Sequence, residues 1–201
     1  VISDTIYLRY AVNSLGNEID DMRLLVWETA KDGEDAYVYG TEAYVLSPIG
    51  STVMGGATYA VFDFTKMSHG KMIDYVYARP YLPAKGESPA QYGPLNKYSA
   101  LQYCYTVLGK LGNYTTTDQK LINLVNAMMA YGAAAQEFSN YRTDWLATDS
   151  FYNVTVESGR LPDGGIYGLY KTGSKVVITA NAPAEGYQFV GWKNASGEIV
   201  S

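Results

Sequence analysis

The stretch 116–141, TTDQKLINLVNAMMAYGAAAQEFSNY, constrains the fold most, because it is the longest run with a helical period. Leu121, Leu124, Val125, Met128, Tyr131, Ala135 and Phe138 recur at steps of three and four, which places them on one helix face. Thr116 followed by Gln119 reads as a capping box, and Asp118 adds a negative charge to the first turn. Gly132 should cost about 1 kcal/mol of helix propensity relative to Ala. It opens a run of three alanines, so close packing of another element is its reason. The signal is architectural and carries no chemistry.

Ahead of the helix the chain alternates. Residues 5–12 put Ile6, Leu8, Tyr10 and Val12 on one face and Tyr7 and Arg9 on the other, a strand with one buried face. Residues 22–28 (MRLLVWE) predict a second strand, 37–39 and 42–46 short strand pieces, and 57–64 and 72–82 two longer ones. In the last, Ile73, Tyr75, Tyr77 and Arg79 share a face opposite Asp74, Val76 and Ala78. The segments 13–21, 31–33 and 47–50 carry turn residues, and the Pro/Gly/Ser-rich 83–93 predicts a crossing loop. Pro94 sits where a first helix would begin. The stripe Leu101, Cys104, Tyr105, Leu108 and Leu111 continues that helix to Gly112, making it the first arm of a hairpin with the helix over 117–141.

Strands followed by two helices predict an α+β fold: an antiparallel sheet or sandwich, β-rich over 1–82, with helices over about 94–111 and 117–141 packed on it. Residues 142–150 read as a linker from this module (1–145) to a smaller all-β domain over 151–201, with turn signals at 162–165, 172–173 and 185–186. A length of 201 residues suits such a pair. The chain opens at Val1 with neither Met nor a basic-then-apolar leader and closes just after a strand-like run, so we read it as a mature or excised piece.

Charge and composition exclude some function classes. A net charge of -5 without a basic run argues against nucleic acid and anionic membrane as partners. No apolar window is long enough for membrane insertion. The chain has 20 tyrosines and one histidine. Tyrosine favours strands and half-wet surfaces, since the ring packs while the hydroxyl finds water or a partner; most will be structural, and the rest suit a sugar-binding face.

Within the C-terminal part, residues 153–156 (NVTV), 168–173 (GLYKTG), 175–180 (KVVITA), Pro183 and 186–192 (GYQFVGW) follow in a specific order. Together they resemble a divergent internalin-type B repeat whose last strands are missing. The resemblance implies a small β spacer or adhesion unit in surface and secreted proteins of Gram-positive bacteria, extracellular or wall-associated, without catalysis. Residues 74–79 (DYVYAR), Tyr98-Ser99 and 129–136 (MAYGAAAQ) with Phe138 and Tyr141 resemble a module of multidomain secreted proteins of gut Firmicutes. That resemblance carries no assigned activity. Such neighbours suggest polysaccharide or surface attachment.

Candidate chemistry is sparse. His69, the single histidine, lies in a turn-like stretch and predicts a solvated side chain; no other residue could be the base of a triad. Cys104 reads as a buried inert thiol; a reactive one needs a basic neighbour, and Lys97 and Lys110 need not face it. No ligand spacing predicts a metal or cofactor. Asp32, Glu34 and Asp35 read as a hairpin turn, with a calcium loop as the alternative. Glu28, Asp63 and Asp74 are the acids a glycosidase would draw on, but nothing in their spacing selects a pair.

Binding without chemistry needs aromatic faces beside hydrogen-bonding groups on a rigid sheet. Trp27, Tyr37 and Tyr39 are the candidate platform, with Glu34 and Asp35 near enough to take sugar hydroxyls. The competing reading continues the buried face of Leu25 through Trp27. The sequence therefore predicts a non-catalytic extracellular module whose partner is a polysaccharide or a host or bacterial surface protein. The alternatives are a structural or protein-interaction spacer and part of a carbohydrate-active enzyme.

Overall fold

The computed structural model describes residues 5–200, so residues 1–4 and Ser201 lie outside the described residues. The chain divides into two compact units, Val1–Phe151 and Tyr152–Ser201. The fold is α+β, with antiparallel sheets, two helices and a small all-β second unit.

In the first unit, strand β1 (Thr5–Asn13) pairs with β5 (Ala57–Ser68), which pairs on its other side with β4 (Gly50–Met54). The register sets Leu8 opposite Phe64, Tyr10 opposite Phe62 and Val12 opposite Ala60, so the predicted apolar face of β1 joins that of β5. The second sheet runs β3 (Tyr44–Leu46), β2 (Arg23–Trp27), β6 (Val76–Leu82) and β7 (Gln91–Tyr92). Strand β8 (Asn96–Tyr98) also pairs with β6, opposite Val76 to Ala78. Every residue from Leu24 to Trp27 is at most 2% exposed, because β2 is covered on both faces. Leu24 and Val26 share a face with Ala78 and Val76. Leu25 and Trp27 share the other with Tyr77 and Arg79, as the sequence alternation of β6 predicts.

Helix α1 (Ala100–Val107) starts later than expected. Ser99 caps it, its Oγ accepting from Gln102 N at 3.0 Å, and the chain from Pro94 to that cap is spent on β8 rather than on helix. Helix α2 (Gln119–Ser139) is capped by Asp118, whose Oδ1 accepts from Lys120 N at 2.9 Å; Thr116 Oγ1 instead accepts from Asp118 N. The face α2 buries is also turned from the apolar stripe. Val125, Met129, Gly132, Ala133 and Gln136 are buried, while Leu124 is 57% and Phe138 96% exposed. The cause is close approach: the 3-10 turn His69–Lys71 packs on α2. A Cβ on Gly132 would overlap Met72 Sδ and come within 3.3 Å of His69 O. A Cβ on Gly70 would meet the Ala135–Gln136 backbone at an ordinary 3.6 Å, so Gly132 is the small residue that decides the contact.

Residues 142–150 are not a free linker. Gln136 is fully buried, its Nε2 donating to Trp145 O at 2.8 Å and its Oε1 accepting from Ala147 N at 2.8 Å. Tyr105 Oη donates to Asp149 O at 2.9 Å and accepts from Phe151 N at 3.0 Å. Asp74 accepts from Tyr141 Oη at 2.6 Å and from Arg142 at 2.7 Å. This return segment belongs to the first unit.

The second unit is built from short strand pairs: β9 (Phe151–Thr155) with β11 (Tyr167–Lys171), and the antiparallel pairs β10 (Gly159–Arg160) with β12 (Thr179–Ala180) and β13 (Trp192–Lys193) with β14 (Ile199–Val200). Gly159 is buried because the Trp192 ring lies on it and Thr179 O is close; this glycine has no room for a side chain. Among the described residues Val156, Leu161 and Leu169 are its buried apolar side chains, a small core for a unit of this size.

Burial also sets an alkaline limit. It pushes the Cys104 thiol up to about 11 from 9.0. Burial, then the hydrogen bond to Asp74, pushes Tyr141 up to about 12 from 10.0. Burial, then Asp163, pushes Tyr170 up to about 12 from the same value. Each group is neutral when folded and ionises first in the unfolded chain, so the unfolded state binds fewer protons above pH 9. Stability should therefore fall as pH rises from 9 towards 12, and urea midpoints measured across that range should decline steadily. Cys104, fully buried, should stay unreactive to disulfide reagents until the chain unfolds.

Candidate functional site

The three residues singled out in the sequence part company. Trp27 and Tyr37 are each 2% exposed and form a satellite core with Leu25 and Tyr77. Trp27 meets Tyr37 edge-on at 5.1 Å and donates Nε1 to Thr41 O at 2.8 Å. Tyr37 stacks on Tyr77 at 5.4 Å, and its Oη accepts from Lys31 N. Neither presents a ring to solvent. The expected strand at 37–39 is also absent: Tyr37 and Tyr39 follow the 3-10 turn Glu34–Ala36 in irregular chain, so they do not share a strand face. Trp27 follows the apolar face of Leu25, because the 28–43 connection folds over β2 and hides it.

Tyr39 is different, being 56% exposed. It stacks on Tyr81 with ring centroids 5.0 Å apart and 10° between planes, and Tyr81 meets Tyr92 at 5.1 Å. Tyr39 N donates to Tyr92 Oη at 3.2 Å, closing the group. Tyr81 and Tyr92 sit opposite each other on β6 and β7, so the sheet itself sets their spacing. The result is a rigid ladder of three tyrosines, with Tyr39 and Tyr92 at its exposed ends.

Arg79 holds the ladder together. Its guanidinium lies 5.1 Å from the Tyr92 centroid, donates Nε to Gly93 O at 2.9 Å and donates Nη1 to Glu34 O and Tyr37 O, each at 3.1 Å. It also pairs with the Glu34 carboxylate at 3.5 Å. One arginine thus ties the 33–37 loop, β6 and β7 into one surface. Glu42 adds a carboxylate beside Tyr81: its Oε2 is shielded from water and accepts no hydrogen bond. Burial, then the neighbouring Tyr92, Tyr39 and Glu42, raises Tyr81 above the ordinary tyrosine range, so its hydroxyl stays a donor at neutral pH.

Aromatic faces can stack on the C–H face of a pyranose. Tyr81 was within reach of sequence reasoning, since it continues the Tyr75, Tyr77, Arg79 alternation. Tyr92 was not, because its two-residue strand lies in a stretch that reads as loop.

The remaining candidates are spread over separate structural roles. Asp63 takes two hydrogen bonds of 2.7 Å from Arg9, which hold its carboxyl below the usual range. Glu28 meets Tyr44 Oη at 3.2 Å and Lys71 at 3.5 Å, and Asp74 is held by Tyr141 and Arg142. His69 is half-buried rather than solvated, its ring edge-on to Tyr131 at 4.5 Å. Glu34, from the calcium alternative, is engaged by Arg79 and by Leu95 N. Among the described residues no cluster of three His, Cys, Asp or Glu could hold a metal ion. No helix among them is long and apolar enough to cross a membrane.

With this geometry in hand, comparison with known proteins bears on the second unit. Residues 152–201 match the divergent InlB B-repeat domain. The second unit is thus similar to a bacterial repeat domain, and the match begins where that unit begins. No curated protein and no solved structure matches the chain.

Proposed function

We propose that the chain is a non-catalytic module of an extracellular or surface-attached bacterial protein, in which the first unit binds polysaccharide and the repeat unit serves as spacer. The observation that carries the binding half is the Tyr39–Tyr81–Tyr92 ladder, with Tyr39 more than half exposed. The repeat match supports the surface location, and the Gram-positive wall is the setting the motif resemblance implies. The engagement of Asp63, Glu28 and Asp74 with separate partners supports binding over hydrolysis, which needs two carboxylates facing across one cleft.

A glycan array probed with the whole chain, alongside Tyr39→Ala and Tyr92→Ala, tests this. A single stacked ring contributes on the order of 1 kcal/mol, so each variant should lose about five-fold in affinity and keep its circular dichroism spectrum. Silence of the folded wild type across the array would transfer the role to a surface-protein partner.

A further inference from the structure

We propose a second binding site next to the tyrosine ladder, whose Tyr81 and Tyr92 also line one of its cavities: the free edge of β1 accepts an extended peptide as an added strand. Sheet order β1–β5–β4 leaves β1 paired on one side only among the described residues. Ser14 N donates to Thr58 O at 2.9 Å, so the even residues Leu8, Tyr10 and Val12 exchange backbone bonds with β5. The odd residues Arg9, Ala11 and Asn13 therefore turn their N–H and C=O groups to the open edge.

Exposed edges are normally blunted by charge, proline or shortness. β1 runs for nine residues without proline, and its one charge, Arg9, is neutralised by two 2.7 Å bonds to Asp63. A bulge between Ile6 and Leu8 disturbs only its start.

That edge opens onto a trough. Two cavities, of about 400 and 510 Å³, meet at Tyr10, Ala11 and Asn96, and together every residue from Ile6 to Asn13 lines them. The larger reaches Tyr103 and Met128 on the helices; the smaller has apolar walls that include Met22, Leu24 and Pro80. Tyr10, which lines both, has its hydroxyl buried without a hydrogen-bond partner. A buried orphan of this kind costs about 1–3 kcal/mol, a penalty an incoming polar group would remove.

Backbone groups on an edge, flanking cavities and an orphaned hydroxyl match the requirements of strand addition. In that mode main-chain bonds supply affinity, and pockets read side chains that recur on one face of the peptide every about 6.6 Å. No charged residue lines the smaller cavity, and only Arg9 lines the larger, so the peptide enters with uncharged, apolar side chains at its pocket positions.

The test pans a phage-displayed octapeptide library on the whole chain. Selected peptides should carry alternating apolar residues and lose at least ten-fold in affinity on Ala11→Pro, which removes an edge N–H that β5 does not use. Should that variant misfold, amide exchange on the wild type decides instead: bound peptide should protect Arg9, Ala11 and Asn13. An unenriched library, equal binding by a folded Ala11→Pro, or unchanged exchange at those three amides would each overturn the proposal.

Discussion

Replacing Gln136 with leucine should cost the first unit about 3 kcal/mol, more than any other single side chain of α2. The apolar substitute fits a fully buried position, so the loss comes from what it leaves behind. Trp145 O and Ala147 N lose their 2.8 Å partners, and Arg142 O its weaker 3.4 Å one. Each buried backbone group left unsatisfied costs about 1–3 kcal/mol, and water reaching the exposed Arg142 softens the last. The deficit should appear as a lower urea midpoint. Asn126→Ala, on the exposed face of the same helix, should stay within about 0.5 kcal/mol of wild type. Equal midpoints for the two variants would show that the return segment is not fastened through Gln136.

Gly159→Ala should unfold much of the second unit. The new Cβ would overlap the Trp192 ring, lie 2.7 Å from Thr179 O and 3.0 Å from Val156 Cγ1. The Trp192 ring could swing aside, but Thr179 O belongs to the pairing of β10 with β12 and cannot move without breaking it. Overpacking costs about 1–3 kcal/mol in a large core. A unit with so few buried apolar side chains among its described residues has little reserve against such a loss. The readout is Trp192 fluorescence, followed with Trp27 and Trp145 replaced by phenylalanine: a red-shifted spectrum before denaturant is added is the expected result. A native-like spectrum would mean that the glycine contact is dispensable.

What the sequence disclosed follows physical lines. Strands with one buried face, β1 above all, were legible because alternation of period two leaves no second interpretation for Ile6, Leu8 and Tyr10. The orientation of α2 was not legible. Apolar size draws attention to Leu124 and Phe138, whereas the contact is decided by the absent side chain at Gly132. Helix α1 was placed too early because Pro94 imitates a helix start, and only the Ser99 cap shows where backbone donors find their acceptor. In the candidate site the sequence singles out Tyr39 but not Tyr81 or Tyr92. Tyr81 and Tyr92 become neighbours only through the β6–β7 register, a pairing that no local pattern encodes. Trp27 and Tyr37 were misplaced for the opposite reason: the 28–43 connection folds back over β2, and its Thr41 carbonyl satisfies the indole.

The claim that the tyrosine ladder binds polysaccharide is tested most directly by affinity electrophoresis of the wild type, Tyr39→Ala and Trp27→Phe in gels cast with soluble cell-wall and plant polysaccharides. The ladder predicts retardation of the wild type and of Trp27→Phe in at least one polysaccharide, with Tyr39→Ala running as it does in an empty gel. Equal retardation of a folded Tyr39→Ala, or none for the wild type in any gel, would contradict it.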